Sequence, residues 1–349
     1  MSPLPPLARF GDRVASGLLD VTDDPAALDS AGFWAVCADY EGRLTCARFA
    51  DVRTEPVPAP VPGRWRGPRP QDWTSSLDRA AYTAAVVRIR EHIAAGEVYQ
   101  ANLCRVLSAP VAPGTDVDAL TALLARGNPA PYAGTIRLPG HGVEIATASP
   151  ELFLRRDGTV VESGPIKGTG RTEADLLDKD RAENVMIVDL VRNDLGRVCA
   201  TGSVTVPDLC TVEKHPGLVH LVSTVRGELR AGAGWPRLLA AAFPPGSVTG
   251  APKPSALRII EALETAPRGP YCGAIGWVDA DRGTGELAVG IRTFWLDRSA
   301  AAGATLRFGT GAGITWGSDP EREWRETELK AARLLAIASG TYDASREES

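Results

Sequence analysis

A lysine stands inside ESGPIKGTGRT, residues 162–172, with Ile166 before it and glycines at 168 and 170. Glycines let the backbone approach another molecule closely, so Lys167 could clamp a phosphate, sit as a solvated turn residue, or act as a nucleophilic amine. Two glutamates stand in stretches with helical spacing: Glu183 in KDRAENVMIVDLVRNDLGR and Glu326 in DPEREWRETELKAARLL. Acidic side chains on helices are solvated as a rule, yet two from separate helices could hold magnesium, which takes one or two protein carboxylates. Arg292 lies in LAVGIRTFWL, where alternation puts it on one face with Gly290 and Phe294. An arginine there needs a carboxylate, from the protein or from a ligand. His220, in GLVHLVST, reads either as a satisfied core residue or as a catalytic one.

The glycine-rich stretches are not nucleotide loops. GPIKGTG and GSVTGAPK lack the GxxxxGK[ST] spacing of a P-loop, and FGTGAGITWGSD has Ile314 where GxGxxG needs its third glycine. Six scattered cysteines (Cys37, Cys46, Cys104, Cys199, Cys210, Cys272) form no CxxC pair, and the four histidines show no HxxxH or HExxH spacing. Zinc and disulfide frameworks are not expected; free thiols in a reducing cytosol are.

The elements that must position these residues are legible from about residue 76 onward. Residues 1–53 read as a short, irregular N-terminal region with strand-like pieces, FWAVCADY and RLTCARFA. Residues 54–75 form a proline-rich linker or strap. LDRAAYTAAVVRIREHIAA, 77–95, is a helix ended by Gly96. EVYQANLCRVLSA alternates as a strand, with Tyr99, Ala101 and Leu103 opposite Gln100 and Asn102. Strands follow near 131–138, 143–148, 151–155 and 159–163. A helix over 173–194 buries Val185, Ile187, Val188, Leu190 and Val191. Strands at 203–212 and 218–228 precede helices at 235–242 and 254–264. A meander covers 271–280, 286–297 and 304–316, and a helix over 320–338 presents Leu329, Leu334 and Leu335 to the core. Residues 339–349 read as a disordered tail. Strands outnumber helices and are mostly hairpin-connected. The fold class is therefore α+β, an antiparallel β-sandwich flanked by helices, with the catalytic domain at 76–338.

The totals bound the partners. The formal net charge is −5 without a block of like charges, which argues against nucleic acid and membrane surfaces. No apolar run reaches the roughly 18–20 residues that span a bilayer, and the first residues lack a signal-peptide pattern. The expected location is the cytoplasm.

Nine stretches, in order, resemble the chorismate-utilising enzymes: GEVYQANL, SPELF, PIKGTGR, DRAENVMIVDLVRNDLGRV, HLVSTVRGEL, FPPGSVTGAPK, YCGAIGW, GIRT and GAGITWGSDPEREWRETELKA. This is the family of anthranilate, aminodeoxychorismate, isochorismate and salicylate synthases. The resemblance implies that Glu183 and Glu326 bind Mg2+, which grips the ring carboxylate of chorismate. It implies that Tyr271, Arg292 and the backbone amides of Gly311, Ala312 and Gly313 hold the enolpyruvyl carboxylate, with Lys330 adding positive charge. Gly168, Thr169 and His220 would line the ring, His220 among the catalytic candidates, and Glu151 matches the acid that protonates the departing ring hydroxyl.

Two positions divide the subfamilies. The water-using members have a lysine base where this chain has Gln100, so an ammonia-using enzyme is expected. Anthranilate synthases have alanine where this chain has Lys167, and the PIKGT form looks like aminodeoxychorismate synthase, the transferase whose product leads to para-aminobenzoate and folate. Lys167 would then form a covalent adduct at ring carbon 2, for which its amine must be neutral. The alternatives are anthranilate synthase or aminodeoxyisochorismate synthase component I. The chain shows no GxCxGxQ-like elbow, so ammonia is expected from a separate glutamine amidotransferase subunit. The region before residue 76 is shorter than in typical members, and tryptophan binding is not expected.

Overall fold

The computed structural model describes residues 4–342 apart from 62, 171, 177, 216–217 and 300–302, with the backbone alone described at 169, 178, 215 and 218. The chain opens with β1 (Leu7–Phe10), β2 (Arg13–Thr22), β3 (Phe33–Ala38) and β4 (Leu44–Thr54). After the proline-rich strap come β5 (Thr74–Ser75), α1 (Arg79–Ala94), β6 (Gln100–Val111) and α2 (Val117–Gly127). Short strands β7 (Tyr132–Leu138), β8 (Val143–Ser149), β9 (Leu152–Asp157), β10 (Val160–Gly164) and β11 (Ile166–Gly170) lead into α3 (Asp178–Gly196). The hairpin β12 (Thr205–His215) and β13 (Leu218–Glu228) is followed by α4 (Trp235–Ala242), β14 (Gly250–Ala251) and α5 (Lys253–Leu263). Finally β15 (Ala274–Asp279), β16 (Thr284–Val289), β17 (Thr293–Asp297) and β18 (Ala304–Ile314) precede α6 (Pro320–Ala338).

All strand pairings among the described residues are antiparallel and join into one hydrogen-bonded network, the α+β class the sequence predicts. The N-terminal region departs from the expected irregularity. β1 runs against β7, and β3 against β15. The reason lies in β3, FWAVCA, which is buried at every position and so must be covered on both faces. The strap is tied down by two indoles: Trp65 Nε1 donates to the Ala338 carbonyl at 2.7 Å and Trp73 Nε1 to Ser339 Oγ at 3.1 Å. The expected disordered tail falls largely on residues 343–349, outside the described residues.

The helix that carries Glu326 and Lys330 starts where its cap says it should. Asp319 accepts from the Arg322 amide at 2.9 Å, and Pro320 opens α6. The inner face of α6 is Glu323, Thr327, Ala331, Leu334, Ile337 and Ala338. Leu329, expected on that face, is 77% exposed because the core lies on the 323–327–331 stripe instead. On α3, Ile187, Val188 and Val191 are buried as expected, but Val185 is on the outside. The helix α2 was not foreseen; it buries Val117, Leu120 and Leu124 against β8, β17, β18 and α6. The expected strand 286–297 is broken between Val289 and Thr293, where Arg292 takes a left-handed backbone, φ 51°. Among the described residues no helix is long and apolar enough to cross a membrane.

Candidate active site

β11 runs against β13, with Lys167 opposite Leu221 and Thr169 opposite His220, and the register slips between them. Gly168 sits in the slip at φ 76°, where a β-carbon would come within 2.9 Å of Asp180 Cβ. Only glycine meets both demands, and the bulge re-aims the lysine beside it. Lys167 Nζ donates to the Ser247 carbonyl at 3.1 Å. Ser247 belongs to the turn Gly246–Val248 between α4 and β14. Its side chain lines one small cavity with Glu151, which lies between β8 and β9 and is 4% exposed. Burial pushes the Glu151 carboxyl up to about 7; the Ser247 hydroxyl, the Lys167 ammonium and the Ile166 amide pull the other way.

Gln100, at the head of β6, closes this group. It is 1% exposed, and its Oε1 has no hydrogen-bond partner among the described residues. A β-carbon on Gly313 would come within 2.2 Å of Gln100 Nε2 and 3.8 Å of Lys167 Nζ. Gln100, Lys167 and Gly313 therefore meet at one place, and the absent side chain leaves the room. Gln100 was expected to alternate with Tyr99, and Tyr99 does face solvent just outside the strand. His220 is buried on β13 beside the Thr169 backbone; the Thr169 side chain lies outside the described residues.

A second group is built from charges. Burial pushes the Glu183 carboxyl up, opposed by Lys167 and Lys179 and reinforced by Asp180 and Glu326. Burial pushes Glu326 up too, but the Lys330 ammonium 2.7 Å away, helped by Lys179 and Lys167, holds it below its ordinary value. Lys167 and Lys179 thus act on both carboxylates, and Glu183 and Glu326 repel one another across a shared space. Among the described residues no three His, Cys, Asp or Glu side chains cluster. Two mutually repelling carboxylates, with shell positions left for water and substrate oxygens, fit a magnesium ion. Lys330, one helical turn from Glu326, also donates to the Gly311 carbonyl at 3.1 Å.

The GAG stretch is strand, not loop. Gly311 lies opposite Cys104 and Gly313 opposite Asn102. The amide of Asn102 donates to Thr249 O at 2.7 Å and that of Cys104 to Glu264 Oε1 at 2.8 Å, both away from β18. In an antiparallel ladder those pairs are therefore non-hydrogen-bonded. The amides of Gly311 and Gly313 point to the opposite edge, beyond the last residue paired with β17. They are available to an anion, whereas the Ala312 amide faces β6 and is spent in the ladder, contrary to the expectation for all three. Arg292 has no hydrogen bond or ion pair to its side chain among the described residues. Burial pulls its guanidinium down, and the charge acting on it is the like charge of Arg333. A half-buried cation with only cationic company needs an anion from outside the chain. Tyr271 is 5% exposed, packs its ring over Gly309 and brings its hydroxyl 3.8 Å from Cys104 Sγ.

Sequence reasoning missed three residues here. Ser247 and Lys179 stand inside stretches already singled out, but nothing in their own spacing marks them. Arg268 is 1% exposed and clamps the floor of the site, pairing with Glu264 and donating to the carbonyls of Asn102 and Val248 at 2.7 and 2.9 Å.

The family profile for chorismate binding enzyme matches residues 36–336, so the likeness begins well before residue 76. An anthranilate synthase component 1 of Haloarcula marismortui is 42% identical over 275 residues, covering 75% of this chain and 54% of that protein. An aminodeoxychorismate synthase of Streptomyces pristinaespiralis is 40% identical over 337 residues, covering 85% and 45%. The aminodeoxychorismate synthase component 1 of Salmonella typhimurium is 35% identical over 322 residues, covering 86% and 68%. The chain spans about half the length of several of the curated relatives it matches. Among solved structures, a 2,3-dihydroxybenzoate-specific isochorismate synthase from Bacillus anthracis superposes with a TM-score of 0.79 at 23% identity, over 97% of this chain and 96% of that one. At that identity the likeness speaks for the fold alone.

Proposed function

The chain belongs to the chorismate-binding enzymes, and within that family we propose that it is the large subunit of an aminodeoxychorismate synthase. It would convert chorismate and ammonia to 4-amino-4-deoxychorismate in the cytoplasm, for para-aminobenzoate and folate or a related secondary pathway. The observation that carries this reading is the meeting of Lys167, Glu151 and Gln100: an amine, a carboxyl that burial keeps protonated near neutral pH, and a neutral amide in place of a base for water.

In the first half-reaction the Lys167 ammonium gives its proton to solvent, and the neutral amine donates its electron pair to ring carbon 2. The ring double bonds shift, the bond from carbon 4 to its hydroxyl breaks, and Glu151 gives the proton with which that hydroxyl leaves as water. The new secondary ammonium returns its surplus proton to the Glu151 carboxylate. In the second half ammonia forms the bond to carbon 4, the bond from carbon 2 to Lys167 breaks, and the lysine leaves as a free amine with a proton supplied by Glu151. The surplus proton on the new amino group restores the acid. The sum is chorismate plus ammonia giving aminodeoxychorismate plus water. Mg2+ bound by Glu183 and Glu326 would supply positive charge to the ring carboxylate while it accepts electron density. Arg292, Lys330 and the Gly311 and Gly313 amides hold the substrate's carboxylates in place. Tyr271, enclosed against Gly309, and His220, beside the Thr169 backbone, complete the walls. Ammonia would come from a separate glutamine amidotransferase subunit, with ammonium as its substitute in a purified assay.

The second reading, anthranilate synthase component I, is favoured by the 42% and 41% identities to relatives of that name; a lysine where those enzymes resemble one another in having alanine speaks against it. Purified protein given chorismate, magnesium and ammonium separates the two. The expected product keeps its enolpyruvyl group, and pyruvate released without an added lyase would overturn the proposal.

A further inference from the structure

The turn between α4 and β14 stands where the two reacting groups meet. Ser247 is 7% exposed. Its carbonyl accepts from Lys167 Nζ at 3.1 Å, and its side chain lines one cavity with Glu151, whose carboxyl it pulls down. The turn is not free to drift. Arg268 donates to the Val248 carbonyl at 2.9 Å, and Thr249 Oγ1 to the Pro245 carbonyl at 3.1 Å. Behind the pair lies a cavity of about 20 Å³ lined by Glu151, Ser163, Asp194 and Ser247 among others. That is room for one water and no more. Across it Asp194 is neutralised by Lys253 at 2.7 Å. The charged groups that face Glu151 are thus Lys167 from β11 and, beyond the cavity, the Asp194–Lys253 pair of α3 and α5.

We propose that Ser247 is a positioning residue for the displacement: its backbone seats the nucleophile and its side chain seats the acid, so one rigid turn sets the spacing between them. The inference rests on the reading of Lys167 as nucleophile and Glu151 as acid. A hydroxyl that donates to a carboxylate favours the ionised form, so Ser247 also brings the Glu151 carboxyl down from where burial alone would leave it. The residue therefore does two things a mere wall could not: it aims the acid, and it sets the pH above which the acid is lost.

The test compares Ser247→Ala, Ser247→Thr and Ser247→Val with the parent chain, assayed with chorismate, magnesium and ammonium at constant free ammonia. Ser247→Ala should lower kcat about tenfold to a hundredfold, the loss of a hydrogen bond to a charged group, and leave KM for chorismate nearly unchanged. Its alkaline limb should move to higher pH, and Ser247→Thr should restore both. An unmoved kcat and limb in Ser247→Ala, or Ser247→Thr as impaired as Ser247→Ala, overturns the proposal. If Ser247→Ala does not fold, Ser247→Thr and Ser247→Val, alike in shape and different in one hydroxyl, decide by the same readouts. The infrared band of the protonated Glu151 carboxyl, assigned by its loss in Glu151→Gln and titrated in each variant, reads the shift without turnover. An anthranilate product from the parent chain would sink the aminodeoxychorismate reading while leaving the Ser247 comparison intact; an unmoved band would sink Ser247 alone.

Discussion

Around Lys167 the candidate site is buried, and its groups are fixed by the turn at Ser247; around Glu326 it is half-open, and its groups meet as full charges. Glu151 and Gln100 are 4% and 1% exposed, while the Lys330 and Glu326 side chains are 53% and 44% exposed. On the proposed function, the difference follows from the chemistry each end would do. A proton donor at neutral pH needs desolvation to stay protonated. A carboxylate-binding end needs charge, and charge keeps water until a ligand displaces it. Substitutions at the first end should therefore strike the rate, and at the second the affinity.

The largest effect is expected for Lys167→Ala. Without the amine no adduct can form, and ammonia-dependent turnover should fall by three orders of magnitude or more, on the scale of losing a covalent nucleophile. Intact-mass measurement on quenched parent protein should show chorismate's ring on this side chain, and none on Lys167→Ala. Full activity in the variant would erase the distinction between the two ends.

Next comes Glu151→Gln, expected to cost roughly 10²–10⁴ in kcat, the usual worth of a placed acid. The pH dependence follows from the sign of its shift. Burial raises the carboxyl from 4.5 to about 7, so the competent, protonated form is present below that value. At constant free ammonia the rate should fall as pH rises through about 7, and the limb should vanish in Glu151→Gln. The same shift makes the folded state lose stability as pH climbs from about 4.5 to about 7, because the unfolded chain releases this proton at lower pH than the buried carboxyl does.

Arg292→Lys belongs to the other end. A lysine keeps the charge but not the planar fork. KM for chorismate should rise about tenfold to a hundredfold with a smaller change in kcat, as when one charge-assisted hydrogen bond is lost. A pure kcat effect would place Arg292 with Glu151, and the two ends would no longer differ.

Apart from α2, residues 79–164 and 205–263 are read nearly to their boundaries because each face carries its own period: Tyr82, Val86 and Ile89 on α1, or the alternation of short hairpin strands. The failures share one cause. β3, β6 and β8 are buried on both faces, so periodicity cannot say which neighbour covers them, and the N-terminal strands look unattached until β15 and β7 are seen beside them. Arg292 reads as strand because its neighbours are apolar; only the left-handed backbone shows that it turns out of the ladder. Within the site, Lys167 was legible from its glycines, but Ser247 acts partly through a main-chain carbonyl, which no side-chain pattern can announce.

The smallest effect separates the ends by stability. Lys330 and Glu326 are an exposed pair within one helix, of a kind worth about 1 kcal/mol or less. Lys330→Gln should therefore shift the melting temperature by no more than about 2–4 °C, while it raises KM for chorismate and blunts the salt dependence of binding. The buried comparison is Lys253, whose ammonium meets Asp194 and the Ala242 carbonyl at 2.7 and 3.0 Å with side chains only 16% and 9% exposed. Lys253→Met strands a desolvated carboxylate beside the Glu151 cavity and should cost about 3–5 kcal/mol. Thermal melts of the two variants side by side are the measurement. Equal shifts would mean that the half-open end is held as tightly as the buried one, and the division between rate and affinity would lose its physical basis.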